Sequence, residues 1–376
     1  MTMSRPFCMA PFNSIVVDKN GELLPCCDFM QDKSDTHPGH LKDFATWWNQ
    51  DLQVLRNKMV LHQPDSGCNH CLTKEASGQS SLRSMFNMRF ANNPIEPEIV
   101  LVEIRLGNYC NLRCIMCGDY ASSSIATEYS SNQDAYNKIN IFMSTESVAW
   151  WKNEQYMDNL KTILNQVDGC NFAGGEPFIV PEMSKILSML DPQKTRSIGV
   201  TSSLNNINLK ILEELDKFKS VNIIASIEGV GAFNDYVRHG SSWNTVANNV
   251  KLLKQKANVR LNINHVLQHT SIWTLPGLIE WADEQRMRIA LSGVYYYSYP
   301  APGVLTIDSA NPRDLDKFKD WLSRYNGKHK PILENWVGQY KYDHQLNKKF
   351  HQYMSMLDGI RGTDFKLLFN PTYENT

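Results

Sequence analysis

The pattern of apolar and polar positions alternates between strand-like runs and helix-like segments over most of this chain. The runs with a strand pattern begin at residue 99, and segments with helical periodicity lie between them. The predicted strands are 99–106, 167–173, 197–203, 221–227, 258–265 and 288–295, and the clearest predicted helices are 146–165, 207–219, 243–256 and 274–286. Strands that alternate with helices form parallel sheets built from βα units, which predicts the α/β fold class.

Periodicity alone does not separate an open Rossmann-like sheet from a (β/α)6 barrel. In either architecture the chemistry belongs at the carboxyl ends of the strands. We therefore predict the function from the motifs that follow the strands.

Composition and charge indicate which classes of protein are unlike this chain. The chain has 376 residues with 38 Lys and Arg against 39 Asp and Glu, so no surplus of positive charge is available to hold nucleic acid. No apolar run is long enough to predict a transmembrane helix, and residues 1–17 lack the apolar core of a signal peptide. These features predict a cytoplasmic protein. In that compartment the nine cysteines indicate thiols or metal ligands rather than disulfides.

Three cysteines lie on one short loop after the first predicted strand. Cys110, Cys114 and Cys117 form a C-x3-C-x2-C motif that follows a Gly107-Asn108 turn. Three thiolates on one loop can hold three irons of a [4Fe–4S] cluster and leave the fourth iron open to a substrate or cofactor. The alternative is a zinc loop that a distant fourth ligand completes.

This loop resembles the signature of the radical S-adenosylmethionine (SAM) enzymes, with Met116 where the family often has an aromatic residue. The resemblance implies a partial (β/α)6 barrel, a [4Fe–4S] cluster that chelates SAM, and an electron donor such as flavodoxin or ferredoxin. It also implies reductive cleavage of SAM to a 5′-deoxyadenosyl radical, which abstracts hydrogen from a substrate carbon.

Further motifs at strand ends are similar to the SAM-binding residues of that family. The Gly174-Gly175-Glu176 turn after the second strand looks like the family's GGE motif, which binds the SAM ammonium group. By the same resemblance the remaining candidate SAM contacts are Ser202, Ser226, Glu228 and Arg238. Arg238 is the candidate partner of the SAM carboxylate, and Glu228 stands where the family more commonly has Asp. A plain turn at Ser202 and a solvated charge at Arg238 are the structural alternatives.

A second group of cysteines precedes the barrel. Cys8, Cys26, Cys68 and Cys71 come from a predicted hairpin with an Asn20-Gly21 turn and from a downstream C-x2-C pair. A four-cysteine zinc site and an auxiliary [4Fe–4S] cluster both fit this set, with Cys27 as an alternative to Cys26. The pattern resembles the twitch and SPASM extensions of radical SAM enzymes, although these usually follow the barrel.

The chain is therefore predicted to have three parts. Residues 1–95 form a twitch-like domain with the auxiliary cluster, residues 96–300 form the radical SAM barrel, and residues 301–376 form a helical extension that closes the barrel. Helical patterns lie at 312–325 and about 344–359, and the segment 357–365 has no role assigned from sequence.

The sequence predicts the type of reaction more closely than it predicts the substrate. The resemblance favours a peptide, with oxidation or epimerisation of a sugar, amino acid or other small metabolite as the alternative. A zinc-stabilised binding protein without catalysis is the alternative from another class. Cys170 is expected to be a small buried residue, and the candidate residues for substrate contact or proton transfer are Tyr295, Tyr296, Tyr297, Tyr299, His265 and His269.

Overall fold

The structure is a computed structural model, and it describes residues 6–30, 33–34, 36–76, 80–143, 149–293 and 303–371. The strands within these ranges are β1 (Ser14–Val17), β2 (Glu22–Leu24), β3 (Gly39–His40), β4 (Leu101–Arg105), β5 (Arg113–Cys114), β6 (Gly169–Ala173), β7 (Ser197–Ser202), β8 (Val221–Ser226), β9 (Arg238–His239), β10 (Val259–Leu267) and β11 (Arg288–Gly293).

The helices are α1 (Ala10–Asn13), α2 (Phe44–Thr46), α3 (Gln53–Val60), α4 (Asn69–Ala76), α5 (Leu82–Arg89), α6 (Ser123–Ser131), α7 (Gln133–Asn137), α8 (Glu154–Leu164), α9 (Glu182–Leu187), α10 (Leu209–Leu215), α11 (Ala232–Val237), α12 (Trp243–Lys254), α13 (Ser271–Glu284), α14 (Pro312–Arg324), α15 (Lys330–Gly338), α16 (His344–Arg361) and α17 (Phe365–Phe369). A π-helical segment, Trp47–Asp51, joins α2 to α3.

The chain divides into two compact units. The first unit comprises Met1–Asn108, Ser147–Thr201 and Asn208–Asn222, and the second comprises Tyr109–Glu146, Ser202–Ile207 and Ile223–Thr376. The division predicted from sequence, at residues 95 and 300, remains a prediction.

A mostly parallel sheet forms the centre of the first unit. Its strand order is β7-β6-β4-β1-β2-β3, with β1, β4, β6 and β7 parallel and the β1–β2 and β2–β3 pairs antiparallel. The Asn20-Gly21 turn makes the predicted hairpin, because Gly21 has a φ of +80° and its N–H donates to the Asp18 carbonyl. The hairpin strand β1 lies beside β4, so the first cysteine segment is part of this sheet.

The second unit contains parallel strands packed with helices and a short antiparallel pair. Strand β10 lies between β8 and β11 and is parallel to β11, whereas β5 pairs with β9 in antiparallel fashion. A buried cluster joins the end of β5 and the end of α11 to helices α16 and α17. Its members include Ile115, Val237, Phe350, Leu357 and Phe365. These residues form the core beneath the candidate site.

The predicted α/β class is confirmed. Each of the six predicted strands is present, as β4, β6, β7, β8, β10 and β11, and helices alternate with them along the chain. The predicted helices at 312–325 and 344–359 correspond to α14 and α16. In the ranges given above, no helix combines the length and apolarity needed to cross a membrane.

Candidate functional site

The three-cysteine loop of the second unit is held by backbone and serine contacts. Strand β5 places Cys114 opposite Arg238 of β9, and the N–H of Ile115 donates to the Val237 carbonyl at 2.9 Å. On the other side, the hydroxyl group of Ser122 caps α6 and donates to the Leu112 carbonyl at 2.6 Å. These contacts fix the conformation of the loop on both sides of Cys114.

Arg238 is the central cation of this site. Its Nη1 atom lies 3.7 Å from the Cys114 sulfur, and its Nη2 atom donates to Oε1 of Glu228 at 2.7 Å. The Nε–H is buried and has no hydrogen-bond partner among the residues that the structure describes. Burial alone opposes the charged form, but Cys114 and Glu228 raise the pKa of Arg238 above its ordinary value. One donor of a buried, charged guanidinium therefore remains for an anionic ligand.

Glu228 is completely buried and has both carboxylate oxygens engaged. Oε2 accepts the Val266 N–H at 3.0 Å and lies 3.3 Å from Nδ1 of His265. This arrangement orients Glu228 toward Arg238. Ser226 lies two residues earlier at the end of β8 and is half-buried. The structure thus shows Glu228 as the partner of Arg238, a contact that sequence reasoning did not foresee.

Burial determines the pKa of the thiols of the loop. It raises the pKa of Cys114, which Arg238 partly opposes, and together with Cys114 it raises the pKa of Cys117 to about 12. Metal binding to such thiols releases protons, because the ligand is the thiolate. The buried Arg238 reduces the cost of that negative charge, so the donor set fits an anionic iron–sulfur cluster.

Across the described ranges, no three His, Cys, Asp or Glu side chains are arranged as ligands of one metal ion. A cubane cluster needs a different arrangement, since each thiolate binds a different iron atom.

The GGE turn of the first unit has the backbone conformation that only glycine adopts easily. Gly174 and Gly175 have φ values of +74° and +55°. A Cβ atom at Gly174 would lie 2.9 Å from the Cβ atom of Arg105, so a larger residue would not fit there. The Glu176 side chain is buried, and its Oε1 accepts the Phe178 N–H at 3.3 Å.

Ser202, in the second unit, is also buried. Its hydroxyl oxygen accepts the Leu204 N–H at 2.9 Å. This bond stabilises the turn after β7, where Leu204 has a positive φ of 57°.

The four N-terminal cysteines of the first unit line one small cavity, together with Arg83 and Asp28. Burial and the neighbouring thiols raise the pKa of Cys68 to about 12, and burial raises the pKa of Cys8 to about 12. Arg83, which is 7% exposed, lowers the pKa of both thiols and so favours their thiolates. The set Cys8, Cys26, Cys68 and Cys71 is therefore brought together around a single buried space.

Cys27 points elsewhere. It lines an adjoining cavity of about 330 Å³ with Glu103 and Asn171, whereas Cys26 lines both cavities. Burial, followed by Glu103, raises the pKa of the Cys27 thiol to about 12. His70 lies outside the cysteine cavity, with Nδ1 3.4 Å from a carboxylate oxygen of Asp28. Cys170 is fully buried in β6, as expected from sequence.

The cavity beside Cys27 has an apolar wall formed by α5. Met85 and Met88 on this wall are 55% and 77% exposed, which is unusual for large apolar side chains. The floor consists of Glu103 and Asn171, which are register partners on β4 and β6. Sequence reasoning missed this cavity, although the exposed methionines on one helix face were a visible signal.

The two candidate histidines of the second unit are enclosed. Nε2 of His265 lies 2.8 Å from the Ser271 hydroxyl group, and Nδ1 of His269 lies 2.7 Å from that of Ser309. Burial lowers the pKa of both imidazoles, which favours the neutral form. The four candidate tyrosines, 295–297 and 299, lie outside the described residues.

Residues 104–282 match the family model of the radical SAM superfamily. This segment is a radical SAM domain, and the prediction of an enzyme with such a domain is confirmed. Enzymes of this family use SAM and a [4Fe–4S] cluster, which are therefore its cofactors.

Solved structures give distant fold matches. SuiB of Streptococcus suis bound to SAM is 14% identical, with 86% of this chain and 68% of that chain covered and a TM-score of 0.38. SuiB bound to its precursor peptide SuiA is 13% identical, with 86% and 70% covered and a TM-score of 0.40. The enzyme anSMEcpe with bound AdoMet is 14% identical, with 73% and 68% covered and a TM-score of 0.43. No curated protein matches this chain. At these sequence identities and TM-scores, the matches do not indicate the substrate of this protein.

Proposed function

We propose that this enzyme cleaves SAM reductively at a cluster held by Cys110, Cys114 and Cys117 and abstracts hydrogen from a substrate carbon. When bound, the reduced cluster supplies an electron to SAM, which gives methionine and a 5′-deoxyadenosyl radical. The observation that carries the proposal is the buried Arg238, which contacts Cys114 and retains one unpartnered donor.

The residues around Arg238 have distinct roles in this proposal. Arg238 binds the SAM carboxylate through its remaining Nε–H, and Glu228 holds the guanidinium in place through its 2.7 Å bond. Ser226, at the end of β8, donates its hydroxyl group to SAM. Gly174, Gly175 and Glu176 bind the SAM ammonium group, and Ser202 is a further SAM contact, as the sequence motifs predict.

We propose that Cys8, Cys26, Cys68 and Cys71 hold an auxiliary [4Fe–4S] cluster. The support is their shared cavity, which Arg83, in an ion pair with Glu75, also lines. These cysteines would hold a cluster able to take up an electron from a product radical or to bind substrate directly. The electron for SAM cleavage comes from a small donor protein such as flavodoxin or ferredoxin.

For the substrate we propose a peptide whose apolar side chain enters the cavity beside Cys27. The wall of this cavity is apolar, and its floor offers the Asn171 amide and the Glu103 carboxylate for a peptide group. A sugar would leave most of its hydroxyl groups without partners against Met85, Phe86 and Met88. The cavity therefore favours a peptide over a sugar as substrate.

Counting iron and sulfide after anaerobic purification tests the two-cluster proposal. About eight irons and eight sulfides per chain are expected, four of each for each cubane. Replacing Cys110, Cys114 and Cys117 together with alanine is expected to remove about half of the iron and all SAM cleavage. Zinc without sulfide in the wild-type protein would refute the proposal, and loss of all iron in the triple variant would refute two separate sites.

A further inference from the structure

The end of helix α16 forms a buried ion pair with α6. Nε and Nη2 of Arg361 donate to the two carboxylate oxygens of Glu128 at 3.0 and 2.8 Å. Both side chains are almost fully buried, at 3% and 1% exposure. The helix ends directly afterwards at Gly362, which has a φ of +65°. This bidentate pair fixes the C-terminal segment against the part of the chain that follows the cysteine loop.

Glu128 also connects Arg361 to the cysteine loop through hydrogen bonds. Its carboxylate also accepts the Tyr136 hydroxyl group at 2.7 Å and Nη1 of Arg113 at 3.2 Å. Burial opposes the ionised carboxyl group, but the bonds from Arg361 and Tyr136 lower the pKa of Glu128 below its ordinary value. A fully ionised Glu128 therefore holds Arg113, the residue directly before Cys114.

The residue after Cys114 is held by the same helix. The Tyr353 hydroxyl group donates to the Ile115 carbonyl at 2.8 Å in a buried contact that joins positions 238 residues apart. Helix α16 thus contacts one neighbour of Cys114 directly and the other through Glu128.

Helix α16 also contacts the segment that leads to Arg238. The Tyr236 hydroxyl group donates to Oδ1 of Asp358 at 2.8 Å. Asp358 is itself fixed by the Thr363 hydroxyl group at 2.6 Å and the Phe365 N–H at 2.9 Å. Residues 353–365 therefore contact the chain directly after β5 and shortly before β9.

We propose that residues 353–365 form a positioning element for the SAM site, with Tyr353 and Arg361 as its positioning residues. They set the geometry between Cys114 and Arg238, and so the orientation in which SAM binds. This proposal rests on the proposed function, because it assumes that Cys114 and Arg238 serve the same SAM site.

Two conservative variants of the reconstituted holoenzyme test the proposal. Tyr353→Phe removes one hydrogen bond and keeps the ring, and Arg361→Lys removes the bidentate geometry and keeps the charge. We measure iron content, SAM affinity, and the change that SAM causes in the electron paramagnetic resonance spectrum of the reduced cluster. With full iron content, Tyr353→Phe is expected to weaken SAM binding roughly fivefold, the factor that one neutral hydrogen bond supplies. Arg361→Lys is expected to have a larger effect and an altered spectrum.

Matched controls come from the same unit. Tyr129→Phe removes a hydroxyl group that donates to Asn137 over a long distance of 3.4 Å, and Arg324→Lys changes an exposed ion pair with Asp320. Both controls should retain the wild-type spectrum and affinity. Wild-type values in Tyr353→Phe and Arg361→Lys would overturn the positioning proposal alone. Absence of any SAM effect in the wild-type enzyme would overturn the proposed function instead.

Discussion

Arg238 and Glu228 form an ion pair with a 2.7 Å contact in which the glutamate is fully buried and the arginine side chain is 12% exposed. A buried ion pair gains little net stability, because desolvation offsets the attraction. Removing one partner is costly, however, since the other charge is left buried without compensation. The pair therefore matters more for keeping Arg238 in place than for stabilising the fold.

Glu228→Ala is expected to lower the free energy of unfolding by about 3–5 kcal/mol, as for other broken buried pairs. Anaerobic urea unfolding measures this change. Asp320→Ala is the control, because it breaks the exposed Arg324–Asp320 pair and should cost less than about 1 kcal/mol. Equal effects of the two variants would contradict the view of Glu228 as a buried counter-ion.

Neighbouring cysteines provide a matched test of the auxiliary site. Cys26→Ser should lose about four of the eight irons, because Cys26 lines the cavity of the four thiols. Cys27→Ser should keep all of its iron, since Cys27 lines the cavity with Glu103 and is not in the lining of the four-thiol cavity. Iron and sulfide analysis with a serine at each position decides the assignment. The reverse result would make Cys27 the ligand.

The apolar cavity of the first unit predicts which small molecules bind. Saturation-transfer NMR is expected to show contact with the leucine methyl groups of the capped tripeptide acetyl-Ala-Leu-Ala-amide, and no contact with glucose. Met88→Glu places a charge on the cavity wall and should weaken peptide binding by about tenfold. Leu61→Glu changes an equally exposed apolar residue that does not line the cavity, and it should bind like the wild type. Binding of glucose in place of the peptide would reject the peptide proposal.

The buried His269 is expected to make the free energy of unfolding depend on pH. Burial lowers its pKa well below the ordinary value of 6.5, so the folded protein resists protonation that the unfolded chain accepts. Stability should therefore fall as the pH drops below about 6.5, with a slope of up to about 1.4 kcal/mol per pH unit for one group. His269→Gln should reduce this slope, and His344→Gln, at an exposed position, should leave it unchanged. Urea unfolding between about pH 5.5 and 7.5 measures both, and an unchanged slope in His269→Gln would exclude this residue as the cause.

Local patterns allowed much of the fold to be predicted. Alternating apolar positions predicted β4, β6, β7, β8, β10 and β11, and the Asn20-Gly21 turn predicted the hairpin of β1 and β2. The short strands β5 and β9 were not predicted. These features depend on side-chain periodicity and turn chemistry within a few residues, which a sequence displays directly. The addition of β1 beside β4 was not predicted, because strand pairing across more than eighty residues leaves no local signal.

The sequence by itself predicted the chemistry of this protein, because Cys110, Cys114 and Cys117 lie on one short loop whose spacing resembles the radical SAM signature. Tertiary structure decided what surrounds that loop. The bonds of Glu128 to Arg361 and of Ile115 to Tyr353 join residues more than 230 positions apart. Arg361 and Tyr353 look like ordinary helix residues until the fold buries them, and only burial makes their bonds strong and specific. Motifs thus predicted which groups take part in the chemistry, and packing showed which distant residues contact the loop that carries them.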